Sequence, residues 1–131
     1  MAKILLVDDD LDLTTVFATV LKKEGFEIIT AADAKAGIEK VRSENPALIL
    51  LDQVLPDMAG NDMLKMLKDD PQTKNIPVAM LSNFGQNDLI QTAINYGALD
   101  YIIKYQIEPT DLVNKVQNLL KESQSSQAPI G

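Results

Sequence analysis

The sequence contains no cysteine and no histidine. Without cysteine there can be no disulfide framework, thiolate metal site or cysteine nucleophile, a composition that suits a reducing compartment. Without histidine there can be no serine–histidine triad, no imidazole base and no imidazole zinc ligand. Most hydrolase and metalloprotease mechanisms are therefore excluded.

Long apolar runs and an excess of basic residues are also missing. No window approaches the roughly 18 apolar residues of a membrane span, and the N-terminal run of residues 4–7 is far too short for a signal peptide. Twelve Lys and Arg stand against nineteen Asp and Glu, which gives a net charge of −7. Such a charge argues against wrapping nucleic acid or lying on anionic lipid. We therefore expect a cytoplasmic protein with no direct contact to nucleic acid or membrane.

The remaining composition is that of one globular domain. The chain has 131 residues, of which 46% are hydrophobic and 24% are charged, enough for one core of ordinary size. Five short apolar runs lack the alternation of a half-exposed strand, and this predicts strands that are covered on both faces. These runs are residues 4–7, 28–31, 48–51, 78–81 and 101–103.

Helical periodicity separates the five runs. Leu13, Phe17 and Leu21 fall on one helical face before Gly25, which predicts a first helix that stops there. Similar patterns predict helices at 34–44, 61–68, 87–96 before Gly97, and after Pro109. Five strand–helix units in strict alternation predict a doubly wound α/β fold with a parallel sheet. The pattern fades beyond Leu120, so we expect a domain over residues 1–122 and a polar tail or linker start over 123–131.

Residues with reactive or metal-binding side chains follow four of the predicted strands. Asp8 and Asp9 follow the first strand, Asp52 the third, Ser82 the fourth and Lys104 the fifth. In an open α/β sheet the ligand crevice lies outside the carboxyl ends of the strands. Carboxylates that converge there raise one another's pKa unless a cation lies among them, and Mg²⁺ prefers such oxygen ligands. The lysine and the serine hydroxyl beside that metal would complete the site, so the pattern predicts that it binds a phosphoryl group.

Each of these residues also has an ordinary structural explanation. Asp10 or Asp12 is expected to cap the first helix. Asp52 precedes a Pro-containing segment and could be a turn residue, Ser82 could start a turn, and Lys104 could be a solvated lysine. We favour the functional interpretation because four complementary groups rarely fall by chance on one edge of four strands.

Several of these segments together resemble the receiver domain of two-component response regulators. The resemblance covers essentially residues 2–122, and five landmarks agree in order, spacing and identity. It implies a flavodoxin-like fold with a five-stranded parallel sheet in the order 2-1-3-4-5, flanked by five helices. The segments that carry it are KILLVDDD at 3–10, LLDQVLPDMAG at 50–60, residues 77–82, and GALDYIIK at 97–104.

The resemblance implies a magnesium-dependent phosphoacceptor. Asp52 would attack phosphorus and form an acyl phosphate. Asp9 would bind Mg²⁺ directly and Asp8 directly or through water, with Asp52 and the backbone carbonyl of Val54 as further ligands. Together with the metal, Lys104 would neutralise charge on the phosphoryl oxygens. Such a domain catalyses only its own phosphorylation and dephosphorylation.

A conformational switch is implied by the same resemblance. Ser82 would hydrogen-bond the phosphoryl group, and Tyr101 would swing inward as the loop after the fourth strand moves. The output face would be helix 4, strand 5 and helix 5, at about residues 86–122. Implied partners are a sensor histidine kinase or phosphotransfer protein, which must supply the phosphoryl group, a downstream output protein or domain, and a second copy in a phosphorylation-dependent homodimer.

One departure from the family and two alternatives stay open. Tyr105 stands where the family usually has a proline after the lysine, so we expect that loop to be built differently. The domain could act as a protein-interaction module without phosphorylation, although its intact site argues against this. The sequence DLDLT at 10–14 also matches a haloacid-dehalogenase-type phosphatase signature, but Asp10 lies two residues too late and Asp52 would have no role.

Overall fold

The computed structural model describes residues 2–127, and side chains through residue 123. Five parallel strands form one sheet in the order β2-β1-β3-β4-β5, as predicted. Every strand lies within one residue of its predicted position. The strands are β1 Lys3–Val7, β2 Glu27–Ala31, β3 Leu48–Leu51, β4 Val78–Ser82 and β5 Asp100–Ile103.

Helices cover both faces of this sheet. Alternate strand residues point to opposite faces, so Leu5 and Val7 lie in one core with residues of α2, α3 and α4. Ile4 and Leu6 lie in the other core with residues of α1 and α5. The predicted doubly wound architecture is therefore confirmed. The helices are α1 Leu11–Lys23, α2 Ala34–Glu44, α3 Gly60–Asp69, α4 Asn87–Asn95 and α5 Pro109–Gln127.

The helix ends follow the predicted chemistry. Asp10 is the N-cap of α1, and its carboxylate accepts a hydrogen bond from Leu13 N–H at 3.2 Å. Gly25 and Gly97 follow the ends of α1 and α4 with φ of 93° and 103°. These left-handed conformations favour glycine because it has no Cβ. Asp10 therefore has the structural role that we expected of it or Asp12.

The last helix extends beyond the predicted end of the domain at residue 122. Helix α5 runs through Gln127, so the first five residues of the predicted polar tail or linker start, 123–127, are helical. Ser123 is 8% exposed, and packing of the apolar residues Leu112, Val116 and Leu119 stabilises the helix that residues 123–127 continue. Residues 128–131 of the predicted tail lie outside the described residues. Across the part of the chain that is described, no helix has the length and apolar character needed to cross a membrane.

The loop after β3 is fastened to the start of α2 by Asp57. Its two carboxylate oxygens accept hydrogen bonds from Ala34 N–H at 2.8 Å and Lys35 N–H at 3.0 Å. These two bonds hold the pKa of Asp57 below its ordinary value of 3.8. The carboxylate therefore satisfies N–H groups that have no partner within the helix.

We predict that Asp57→Ala lowers the unfolding free energy at neutral pH. The folded pKa lies below 3.8, so the contribution is complete above that value and is lost as pH falls through the folded pKa. Urea unfolding of wild type and Asp57→Ala should thus differ at pH 7 and converge below the folded pKa. Glu39→Ala, in the exposed middle of α2, is the control; equal stability of Asp57→Ala and wild type at pH 7 would contradict the prediction.

Candidate functional site

The carboxyl ends of β1, β3 and β5 bring three of the predicted site residues into contact. Asp8 follows β1, Asp52 follows β3 and Lys104 follows β5. Lys104 Nζ lies 2.5 Å from Asp8 Oδ2 and 3.2 Å from Asp52 Oδ2. All three side chains are buried, so solvent screens this ion-pair network much less than a surface pair. Lys104 is therefore a buried cation between two carboxylates, not a solvated lysine.

The environment of Asp8 disfavours its ionised form. Burial raises the pKa of Asp8, while Lys104 and the Asp10 N–H oppose that change, and the net direction is upward from 3.8. Asp10 N–H donates to Asp8 Oδ1 at 2.9 Å. A further nearby cation would favour the ionised form. The site therefore holds more negative charge than its single lysine neutralises.

Both oxygens of Asp52 have protein partners. Oδ2 pairs with Lys104, and Oδ1 accepts a hydrogen bond from Gln53 N–H at 2.7 Å. These contacts fix the orientation of the carboxylate at the end of the central strand. Asp52 is 7% exposed, so a reaction partner can reach it only at a small part of its surface.

Asp8, Asp9 and Asp52 form a cluster suited to a hard divalent cation. One carboxylate oxygen from each lies within 4.8 Å of the other two, and Mg²⁺ takes oxygen ligands and keeps several waters. Asp8 and Asp52 are buried, whereas Asp9 is exposed. Val54 lies two residues beyond Asp52, with a half-exposed side chain. The donor set fits Mg²⁺ in both charge and atom type.

Ser82 and Tyr101 both contact the backbone of Phe84. Ser82 is the last residue of β4, is fully buried, and its Oγ accepts a hydrogen bond from Phe84 N–H at 3.2 Å. The Tyr101 hydroxyl donates to the Phe84 carbonyl oxygen. Tyr101 is half-buried and packs on the core beneath α2, α3 and α4. The structure thus places Ser82 on the predicted edge, with its hydroxyl engaged in its own loop.

The segment after Lys104 is a one-turn 3-10 helix, Lys104–Gln106. Tyr105 lies within it and is 71% exposed, and every peptide bond in the described residues is trans. Tyr105 also lines an open cavity of about 330 Å³ with Asn83, Phe84, Gly85 and Gln86. This loop therefore presents an aromatic ring beside the site.

Two further residues at the site were not singled out by their sequence pattern. Gln53 is 3% exposed, and its amide contacts both Tyr101 and the start of α3. Gly60 begins α3 and its N–H donates to the Gln53 carbonyl oxygen at 2.6 Å. A polar residue directly after a buried strand, between Asp52 and the apolar pair at 54–55, was the available signal for Gln53.

Comparisons with known proteins agree with this arrangement. Residues 4–117 match the family model described as the response regulator receiver domain. The chain belongs to the response regulator receiver family. The five parallel strands in the order β2-β1-β3-β4-β5 are thus the fold of this family.

Relatives and solved structures extend the family assignment over nearly the whole chain. The phosphate regulon transcriptional regulatory protein PhoB of Klebsiella pneumoniae is 32% identical over 119 residues, which are 91% of this chain and 52% of that protein. The DNA-binding response regulator MtrA of Mycolicibacterium paratuberculosis is 33% identical over 126 residues, 96% of this chain and 54% of that protein. The chain therefore spans about half the length of these relatives.

A solved structure matches the receiver along its full length. The CheY-like response regulator receiver domain protein from Methanospirillum hungatei JF-1 has a TM-score of 0.89 and 30% identity. The match covers 96% of this chain and 98% of that chain.

Proposed function

We propose that this receiver accepts a phosphoryl group on Asp52 from the phosphohistidine of a sensor kinase or phosphotransfer protein. The observation that carries the proposal is the Asp52 carboxylate, which lies 3.2 Å from the buried Lys104 ammonium and within the Asp8–Asp9–Asp52 cluster. A carboxylate nucleophile needs nearby positive charge to approach a phosphoryl group, which is itself anionic. With no histidine of its own, the chain needs an external donor.

The transfer step uses residues that are already in contact. A carboxylate oxygen of Asp52 attacks phosphorus and forms an O–P bond as the P–N bond of the donor breaks. The electron pair stays on the departing imidazole, which takes up a proton from solvent. Lys104 neutralises charge on the phosphoryl oxygens, and Ser82 can donate its hydroxyl proton to one of them.

Magnesium is the proposed cofactor. Asp8, Asp9, Asp52 and the Val54 backbone carbonyl would hold it, since the three acids supply the oxygen donors that Mg²⁺ prefers. When bound, the ion supplies positive charge for the phosphoryl oxygens. Asp8 orients Lys104 through their ion pair.

We further propose that the signal leaves through α4, β5 and α5. Ser82 and Tyr101 meet at Phe84, three residues before α4 begins at Asn87, so movement of Ser82 toward a phosphoryl group would alter the loop that leads into that helix. A downstream protein or domain, or a second phosphorylated copy, would read this face in the cytoplasm. The domain would act as a signalling component, with its own phosphorylation and dephosphorylation as its chemistry.

The decisive test is the intact mass of the protein after incubation with acetyl phosphate and Mg²⁺. Wild type should gain one phosphoryl group, whereas Asp52→Asn should gain none because its amide is not a nucleophile of this kind. Omission of Mg²⁺ with added chelator should also remove the gain. Asp12→Asn, at an exposed position in the first turn of α1, is the matched control and should be phosphorylated like wild type.

Each alternative has a distinct outcome in the same experiment. A folded wild type that binds Mg²⁺ but never gains mass would favour an interaction module that works without phosphorylation. Loss of the gain in Asp10→Asn but not in Asp52→Asn would favour the phosphatase. The capping bond from Leu13 N–H to Asp10 supports a structural role for that residue instead.

Metal binding should be visible as a gain in thermal stability. Because Mg²⁺ would bind only the folded state, a concentration of 100 times its dissociation constant should add about 2.7 kcal/mol to the unfolding free energy. Scanning calorimetry with Mg²⁺ or with chelator measures this gain. Asp9→Asn should lose most of it and Asp12→Asn should keep it; an equal gain in both variants would contradict the assigned ligands.

A further inference from the structure

The amide of Gln53 has a defined orientation inside the domain. Its Oε1 accepts a hydrogen bond from Asn61 N–H at 2.9 Å, and its Nε2 donates to the Tyr101 hydroxyl at 3.2 Å. Because a backbone N–H can only donate, Asn61 determines which end of the amide carries the oxygen. The phenol oxygen of Tyr101 therefore accepts from Gln53, while its proton goes to the Phe84 carbonyl oxygen.

Gln53 also contacts the phosphoacceptor. Its backbone N–H donates to Asp52 Oδ1 at 2.7 Å, so one residue joins the acceptor carboxylate to Tyr101. Phe84 joins the other two groups, because its N–H donates to Ser82 Oγ and its carbonyl accepts from Tyr101. A continuous path of hydrogen bonds therefore runs from Asp52 through Gln53, Tyr101 and Phe84 to Ser82.

The two bonds at Phe84 respond differently to a phosphoryl group. If Ser82 turns its hydroxyl toward Asp52, the bond from Phe84 N–H loses its geometry. The bond from Tyr101 to the Phe84 carbonyl does not involve Ser82 and can persist. Gln53 is 3% exposed, and a buried amide that gives up a partner is costly. Its bond to the phenol therefore keeps the loop in place beside Asp52 when the bond from Phe84 N–H is lost.

We propose that Gln53 is a positioning residue that holds the Tyr101 hydroxyl on the Phe84 carbonyl and so presets the loop between β4 and α4 before phosphorylation. The inference rests on the proposed function, since the loop matters through Ser82 and the acceptor Asp52. It assigns Gln53 a role that the chemistry of phosphoryl transfer does not itself require.

The first test needs no phosphodonor. Tyrosine labelled with ¹³C gives three ring signals, from Tyr96, Tyr101 and Tyr105, and Tyr101→Phe identifies the one from Tyr101. Gln53→Met keeps the length of the side chain but removes both polar ends, so the Tyr101 signal should shift and broaden in this variant. An unchanged Tyr101 signal in folded Gln53→Met would overturn the proposal.

A reciprocal measurement covers the case in which Gln53→Met does not fold. Tyr101→Phe leaves Gln53 and Asn61 intact, and it should shift the side-chain NH₂ resonance of ¹⁵N-labelled Gln53. Tyr105→Phe removes an exposed hydroxyl outside this path and should leave that resonance unchanged. The proposal would be overturned if the Gln53 NH₂ resonance did not shift in Tyr101→Phe, or if it shifted equally in Tyr105→Phe.

The second test follows phosphorylation by acetyl phosphate in a double-mutant cycle. Gln53→Met and Tyr101→Phe should each slow the initial rate about five-fold, the factor that corresponds to one hydrogen bond of ordinary strength. The double variant should be slowed by the same factor, because both changes break one path. A slowing of about 25-fold would mean independent effects and would overturn the proposal. No phosphorylation of wild type would instead refute the proposed function, and the NMR results would still decide whether Gln53 holds Tyr101.

Discussion

Lys104→Met should lower the unfolding free energy by about 3 to 5 kcal/mol at neutral pH and prevent phosphorylation of Asp52. Lys104 is the cation that contacts both Asp8 and Asp52. Methionine matches the apolar length of lysine, so the substitution removes the ammonium while keeping most of the packing. Two buried carboxylates would then lie side by side without the charge that balances them.

The stability deficit of Lys104→Met should grow as pH rises. Burial already raises the pKa of Asp8, and Lys104 opposes that rise, so removing the ammonium raises this pKa further. A raised folded pKa means that the folded state retains the proton to higher pH, and stability falls as pH rises from the ordinary value of 3.8 through the folded pKa. Urea unfolding at pH 5 and pH 8, in chelator, should therefore show the larger deficit at pH 8.

A second substitution separates charge balance from a general loss of packing. The double variant Lys104→Met, Asp8→Asn leaves one buried carboxylate, that of Asp52, in place of two. It should therefore be more stable than Lys104→Met alone, because only one buried charge then lacks a partner. The same double variant should remain unphosphorylated, since Asp52 still lacks its ammonium. A deficit that is below about 1 kcal/mol or equal at both pH values would show that the buried ion pair contributes little.

The sequence was sufficient to predict the edge on which the site lies. Buried strands of a parallel sheet end on one side, so the residues that follow them, Asp8, Asp52 and Lys104, had to lie near one another. The pattern did not distinguish the environments of Asp8 and Asp9. Only the strand geometry buries Asp8 against Lys104 and leaves Asp9 exposed to solvent.

The sequence pattern could not predict residues whose role depends on contacts with residues far away in the sequence. Gln53 contacts Tyr101, 48 positions away, and that contact depends on the pairing of β3, β4 and β5 together with side-chain rotamers. The end of α5 was missed for another reason. Serine and glutamine dominate residues 123–127, and their weak local preference was outweighed by continuation of a helix already packed through Leu112 and Val116.

Gly60→Ala should lower the unfolding free energy by about 3 kcal/mol, at the upper end of the usual cost of overpacking. A Cβ at Gly60 would lie 2.1 Å from the backbone oxygen of Asp52 and 2.8 Å from Gln53 Cα. Both obstacles are backbone atoms, so no side chain can rotate to make room. The start of α3 must therefore move away from the end of β3, or the end of β3 must move with it.

The same displacement should impair the acceptor more than a loss of stability alone would. A shift of about 1 Å at a reacting group can cost roughly 100-fold in rate, so folded Gly60→Ala should be phosphorylated by acetyl phosphate about 100-fold more slowly. Gly85→Ala is the matched control. Its Cβ would lie 2.8 Å from Ile103 Cδ1, the far end of a flexible side chain that can rotate away.

The two alanine variants therefore separate a backbone clash from the mere loss of a glycine. Gly85→Ala should change the unfolding free energy by no more than about 0.5 kcal/mol, measured by urea unfolding beside Gly60→Ala. Equal effects of the two would mean that chain flexibility explains both. A large effect at Gly60 alone would mean that close contact between the first residue of α3 and the backbone of Asp52 positions this proposed phosphoacceptor.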